Sequence, residues 1–129
     1  MSWDDVRYFG PHEFACHCGN CGSDGLEMDK RFILRLDQLR AEYGAPLLIT
    51  SGYRCPAHNN QVSSTGFDGP HTTGHAADIG ISGEQAYYLA QQTNFSGMGI
   101  NQRGPYEGRF IHLDDLEGPA HPRPRIWTY

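Results

Sequence analysis

Phe32, Leu36, Leu39 and Tyr43 recur at spacings of 4, 3 and 4. That is the single apolar stripe of an amphipathic helix, which predicts a helix from about Asp29 to Tyr43. Gly44 then suits the left-handed residue after a helix end, and Pro46 stops any continuation. The run Leu47-Leu48-Ile49-Thr50-Ser51 reads as a short buried strand. His75 to Ile81 alternates, with Ala77, Ile79 and Ile81 on one face, and predicts a second strand. Ser82 and Gln85 form a capping-box pattern that opens a helix running to about Gln92. Gly97 to Ile100 and Arg109 to Asp114 are the next strand candidates, and Ile126 to Tyr129 an edge strand. Met1 to Leu26 reads as polar loop, and Gly52 to Gly74 as irregular chain.

These elements do not alternate strictly, so the pattern predicts a small α+β domain. A chain of 129 residues fits one domain, 1–129. Hydrophobic residues make up 38% and charged residues 19%, enough for a modest core and too little charge for a disordered chain. Gly 16 and Pro 8 imply extensive loops, where sites usually sit. The net charge is −5 and the basic residues are scattered, which argues against nucleic acid as a partner. No apolar run approaches the ~20 residues of a membrane span. The N-terminus carries neither the positive nor the apolar region of a secretory signal, so the expectation is cytoplasmic synthesis with release by another agent.

Three residues carry the candidate chemistry. His71 and Asp78 lie seven apart in Gly69-Pro70-His71-Thr72-Thr73-Gly74-His75-Ala76-Ala77-Asp78. A loop histidine and an aspartate on the following strand can converge on one point. His112 interrupts the apolar context of Phe110-Ile111-His112-Leu113-Asp114. Two imidazoles and a carboxylate suit zinc, and three protein ligands leave a fourth position open, the mark of a catalytic site. Spacing alone leaves a hydrogen-bonding loop histidine and a capping aspartate as alternatives.

Ser51-Gly52-Tyr53-Arg54-Cys55-Pro56, the His71 to Asp78 block and the Phe110 to Asp114 block, in that order, resemble the signature blocks of the zinc D-alanyl-D-alanine carboxypeptidases. That family includes phage L-alanyl-D-glutamate endopeptidases and shares its fold with the hedgehog signalling domain. The resemblance extends from Tyr8-Phe9 to Arg125-Ile126-Trp127. It implies a small hedgehog/DD-peptidase-like single domain with a short antiparallel sheet and two or three helices. It also implies one catalytic zinc held by His71, Asp78 and His112, and a substrate-binding Arg54. The partner implied is a bacterial peptidoglycan peptide, cut by an enzyme expected to be a monomer, either a phage or prophage endolysin or equally a lytic module of a larger virion protein. The bond stays open: D-Ala–D-Ala, L-Ala–D-Glu or a D-Ala–diaminopimelate cross-link. Arg54 has a physical case besides, because a guanidinium binds a substrate carboxylate bidentately. Ser51 precedes it, and the resemblance implies that His58-Asn59-Asn60, just after it, line the substrate cleft, with a loop cap as the alternative reading.

Two departures from the family pattern matter. Several members carry an acid three residues before the last histidine ligand, and Arg109 stands there. The remaining candidates for general base are Asp114, which shares a strand face with His112 and could instead orient it, and Glu107 on the entering loop. Asp115 should face away as a solvated charge, and His75 reads as structural. The second departure is Gly69, where the family usually has serine. Loss of the usual acid keeps a non-hydrolytic, metal-stabilised binding module open as the rival function. Cys16, Cys18, Cys21 and Cys55 leave three states open: a second, structural zinc, one disulfide, or free thiols.

Overall fold

The structure, a computed structural model, describes residues 2–129; Met1 lies outside them. Helix α1 spans Lys30–Tyr43. The Asp29 carboxylate caps it by accepting from the Phe32 amide, and Gly44 closes it at φ 81. Its buried face is Phe32, Ile33, Leu36 and Leu39, together with Asp37. Asp37 is tolerated there because its carboxylate accepts the Arg7 and Tyr8 amides at 3.0 and 2.8 Å, tying the N-terminal segment to the helix.

The sheet contains β1 (Leu48–Ser51), β2 (Ala76–Gly80), β3 (Gly97–Asn101), β4 (Phe110–Asp114) and β5 (Arg125–Thr128). Their order is β1-β2-β4-β3-β5. All neighbours pair antiparallel except β3 and β5, which run parallel, so the sheet is mixed rather than purely antiparallel. Helix α2 spans Pro56–Val62 and α3 spans Gly83–Gln92. The architecture is α+β.

The strand period of two sorts the side chains onto two faces. Ala77, Ile79, Ile111 and Leu113 join Phe32, Ile33, Leu36 and Leu89 in the core. Asp78, His112 and Asp114 fall on the opposite face, where Asp78 pairs with His112 and Ala76 with Asp114. Gly99 lies beside His112 and Gly97 beside Asp114 on β3.

Four local readings change. Residues 2–26 are not merely loop: Phe9 and Phe14 enter the core, and a 3-10 turn spans Pro11–Phe14. The stretch 52–74 contains α2 and two 3-10 turns, Gly66–Asp68 and Pro70–Thr72, because prolines open α2 and the second turn at positions needing no amide donor. Strand β1 lies at the sheet edge with Leu48 exposed, rather than buried within it. Ser82 stands at the start of α3 but makes no side-chain cap; the Gly83 amide is satisfied by Gln102 Oε1 at 3.1 Å.

Candidate metal centre and cleft

His71 sits on the Pro70–Thr72 turn, Asp78 on β2 and His112 on β4, and all three are buried. His71 Nε2 lies 3.1 Å from Asp78 Oδ1 and 3.3 Å from His112 Nδ1, and His112 Nδ1 lies 3.0 Å from Asp78 Oδ1. Three donor atoms from distant positions therefore close into one triangle.

Hydrogen bonds behind the rings aim them. The Gly52 carbonyl, which can only accept, lies 2.8 Å from His71 Nδ1. That nitrogen carries the proton, and the Nε2 lone pair faces the triangle. His112 is held the other way round, with Nε2 at 2.8 Å from Asp114 Oδ2 and Nδ1 facing Asp78 and His71.

The donor set fits zinc. Ligands at zinc's ~2.1 Å N and O distances, spread tetrahedrally, stand about 3.4 Å apart, close to the edges of this triangle. The three polar groups are only 2–5% exposed, a burial that polar groups reach when they are paired or bind a metal.

Asp114 has no exposed surface. Arg123 grips it bidentately, Nε to Oδ1 at 2.9 Å and Nη2 to Oδ2 at 2.8 Å, and Oδ2 also meets His112. It approaches His112 on the ring nitrogen remote from Asp78 and His71. Burial pushes its pKa up, but the bonds from Arg123 and His112 outweigh burial and hold it well below the carboxylate range. For Asp78 the same opposition holds: burial raises it, and His71 and His112 together bring it well below that range. Burial disfavours charge on His112, yet Asp114 and Asp78 raise its pKa above the usual histidine value.

Arg54 lies on the cleft floor. Its Nε donates to Ser51 Oγ at 3.1 Å, Nη1 to Asn59 Oδ1 at 3.2 Å, and Nη2 stands 3.5 Å from Asp78 Oδ2. Ser51 is thus a support for the guanidinium. His58 does not line this cleft; it borders a separate depression with Cys18, Cys21 and Cys55. Successive helix residues point about 100° apart, and in α2 it is Asn59, fully buried, that turns inward. Glu107 is exposed on the Tyr106–Gly108 turn, outside the cleft lining. Arg109 bonds the Gly104 carbonyl and stacks on Tyr106. His75 lies away from the triangle, as expected, but Asp115 is no solvated charge: its side chain is mostly covered and pairs with His75 at 2.9 Å and Arg35 at 3.7 Å.

The cleft over the triangle is about 810 Å³ and is also lined by Asp68, His121, Arg123, Arg125 and Trp127. Gly69 belongs to its wall for steric reasons, since a Cβ there would overlap the Thr65 hydroxyl and come within 2.8 Å of Asn59 Nδ2. The sequence brings Asn59 to the cleft only as part of the His58-Asn59-Asn60 stretch, and gives no signal for Arg123 or Trp127 as site residues. Arg123 and Trp127 reach the site only because β5 returns beside β3, for which no local pattern exists.

Among curated proteins, none matches the chain. A family model described as Peptidase M15 matches residues 7–114, which include the triangle, Arg54 and Asp114. With most of its length matched and a zinc-compatible donor set at its centre, the chain belongs to the peptidase M15 family of metallopeptidases.

Proposed function

We propose that residues 1–129 form a single zinc peptidase domain that hydrolyses amide bonds in peptidoglycan stem peptides or their cross-links, with His71, Asp78 and His112 holding the ion. The observation carrying this reading is the orientation of the two imidazoles. Each is hydrogen-bonded on its outer nitrogen, so that both free lone pairs and the Asp78 carboxylate meet at one buried point below an open cleft. Zinc bound there supplies Lewis-acid chemistry, acidifying water and polarising a carbonyl.

The chain's own groups divide the remaining work. Arg54 presents a fixed planar donor fork to a substrate carboxylate, and Ser51 and Asn59 hold it in place. Arg125 adds a second cation to the wall, suiting an acidic peptide. Asp114 orients His112 and stabilises its ligating form; with both oxygens engaged by Arg123 and His112, it is unsuited to accept a proton from water. The acid–base groups left on the cleft wall are Asp68, His121 and Tyr129. A lytic role of the phage endolysin type is the finer form of this reading.

The test is release of new amino groups from purified peptidoglycan, with His112→Ala as control and mass spectrometry of the products to name the bond. The wild type should release them and the variant should not. Zinc-loaded wild type that binds peptidoglycan without releasing amines would leave the non-hydrolytic module as the function.

A further inference from the structure

A second cluster of ligating side chains lies outside the cleft. Cys16, Cys18 and Cys21 come from the loop after the Pro11–Phe14 turn, and Cys55 precedes α2 directly after Arg54. All four sulfurs lie within 4.8 Å of one another. Cys18 Sγ and Cys55 Sγ are 3.8 Å apart. Four sulfurs around zinc at ~2.3 Å stand about 3.8 Å from each other, the edge of the tetrahedron.

The alternatives fit less well. A disulfide needs sulfurs at about 2.05 Å and would use only two of the four. Free cysteines that pack as small hydrophobes are buried, whereas Cys21 is exposed and Cys16 and Cys18 are only half-covered.

The backbone is arranged for thiolates. The Asn20 amide donates to Cys18 Sγ at 3.3 Å and the Cys55 amide to Cys16 Sγ at 3.3 Å. Two of the four sulfurs therefore receive a backbone N–H, which offsets concentrated negative charge. Gly19 and Gly22, each directly after a cysteine, hold φ of 74° and 69°, a left-handed turn that glycine adopts without strain. The framework also holds the two segments together independently of the sulfurs, since the Tyr53 amide donates to the Phe14 carbonyl at 2.8 Å.

We propose that Cys16, Cys18, Cys21 and Cys55 bind a second zinc ion in a closed four-thiolate site, clasping the N-terminal loop to the segment that carries Arg54. The thiol protons pass to solvent as the ion binds, and four protein ligands leave no open position, so this ion is structural. The site stands whether or not the cleft hydrolyses peptidoglycan.

Metal analysis of the full chain, purified in zinc-containing buffer, tests it. Wild type should carry two zinc ions, His112→Ala one, and the Cys18→Ser/Cys21→Ser double variant one. Cobalt substitution should give thiolate-to-cobalt charge-transfer absorption in wild type and His112→Ala, and none in the cysteine variant. Should that variant fail to fold, wild type alone decides. Its four thiols should resist iodoacetamide until an organomercurial releases zinc, which should come off in step with thiol modification. Thiols that alkylate freely in zinc-loaded protein, a mass two hydrogens short of four free thiols, or iron in place of zinc would overturn the assignment.

Discussion

His112 and Asp114, two residues apart on β4, share one face of the strand and meet at 2.8 Å between Nε2 and Oδ2. The contact settles which nitrogen of His112 faces Asp78 and His71, and the Arg123 fork pins the carboxylate from behind.

Asp114→Asn should therefore act on the metal before it acts on turnover. An amide keeps the shape but weakens the charge-assisted bonds, and loss of a ligand's orienting partner typically costs 10–100-fold in metal affinity. A zinc titration against a competing chelator measures this. Unchanged affinity with abolished hydrolysis would return Asp114 to the role of base.

Arg123→Met should destabilise the chain by about 3–5 kcal/mol, because Asp114 would remain buried without its cation. Denaturant unfolding of the metal-free protein reads this directly. A change below about 1 kcal/mol would mean that water reaches Asp114.

The pH dependence has a defined sign. In the metal-free chain Asp78 and Asp114 have lowered pKa values, so their stabilisation is present above the ordinary carboxylate value of about 3.9 and lost as pH falls through their depressed values. His112 has a raised pKa, so its contribution is complete below about 6.5 and lost as pH rises through its native value. Metal-free protein should be most stable between those limits. Zinc needs His112 Nδ1 unprotonated, so zinc affinity should rise with pH through the neutral range. Calorimetry in buffers of different ionisation enthalpy should detect the released proton, and a pH-independent affinity from about 6 to 8 would contradict the geometry.

Arg54→Lys keeps the charge and loses the planar fork. It should lower kcat/KM on peptidoglycan peptides by roughly 10–100-fold, the weight of one charge-assisted hydrogen bond, with zinc content unchanged. An equal loss for a substrate lacking the carboxylate would show that Arg54 acts through Asp78 instead.

Gly97→Ala should disrupt the site from β3. A Cβ there would overlap the Asp114 carboxylate and come within 2.6 Å of Arg123 Nε. Zinc affinity and thermal stability should fall together, as for Asp114→Asn. A variant with wild-type zinc binding would show that the Asp114–Arg123 pair can shift without releasing His112.

Local patterns in the sequence determined a good deal. The 3.6-residue stripe and its Asp29 and Gly44 ends defined α1 almost to the residue, because helix hydrogen bonds and caps are local. The two-residue period placed Ala77 and Ile79 in the core, and His112 and Asp114 together on one face, before any partner strand was known. Residue chemistry and motif order selected His71, Asp78, His112 and Arg54. Tertiary structure decided what depends on distant chain returning. Strand β5 pairs parallel with β3 and brings Arg123 and Trp127 to the site, and α2 turns Asn59 inward and His58 away. These contacts support Asp114 as the orienting partner of His112 rather than a free base, since whether a carboxylate accepts a proton or holds an imidazole is set by what packs against it, and that partner lies nine residues on with no periodic signal to announce it.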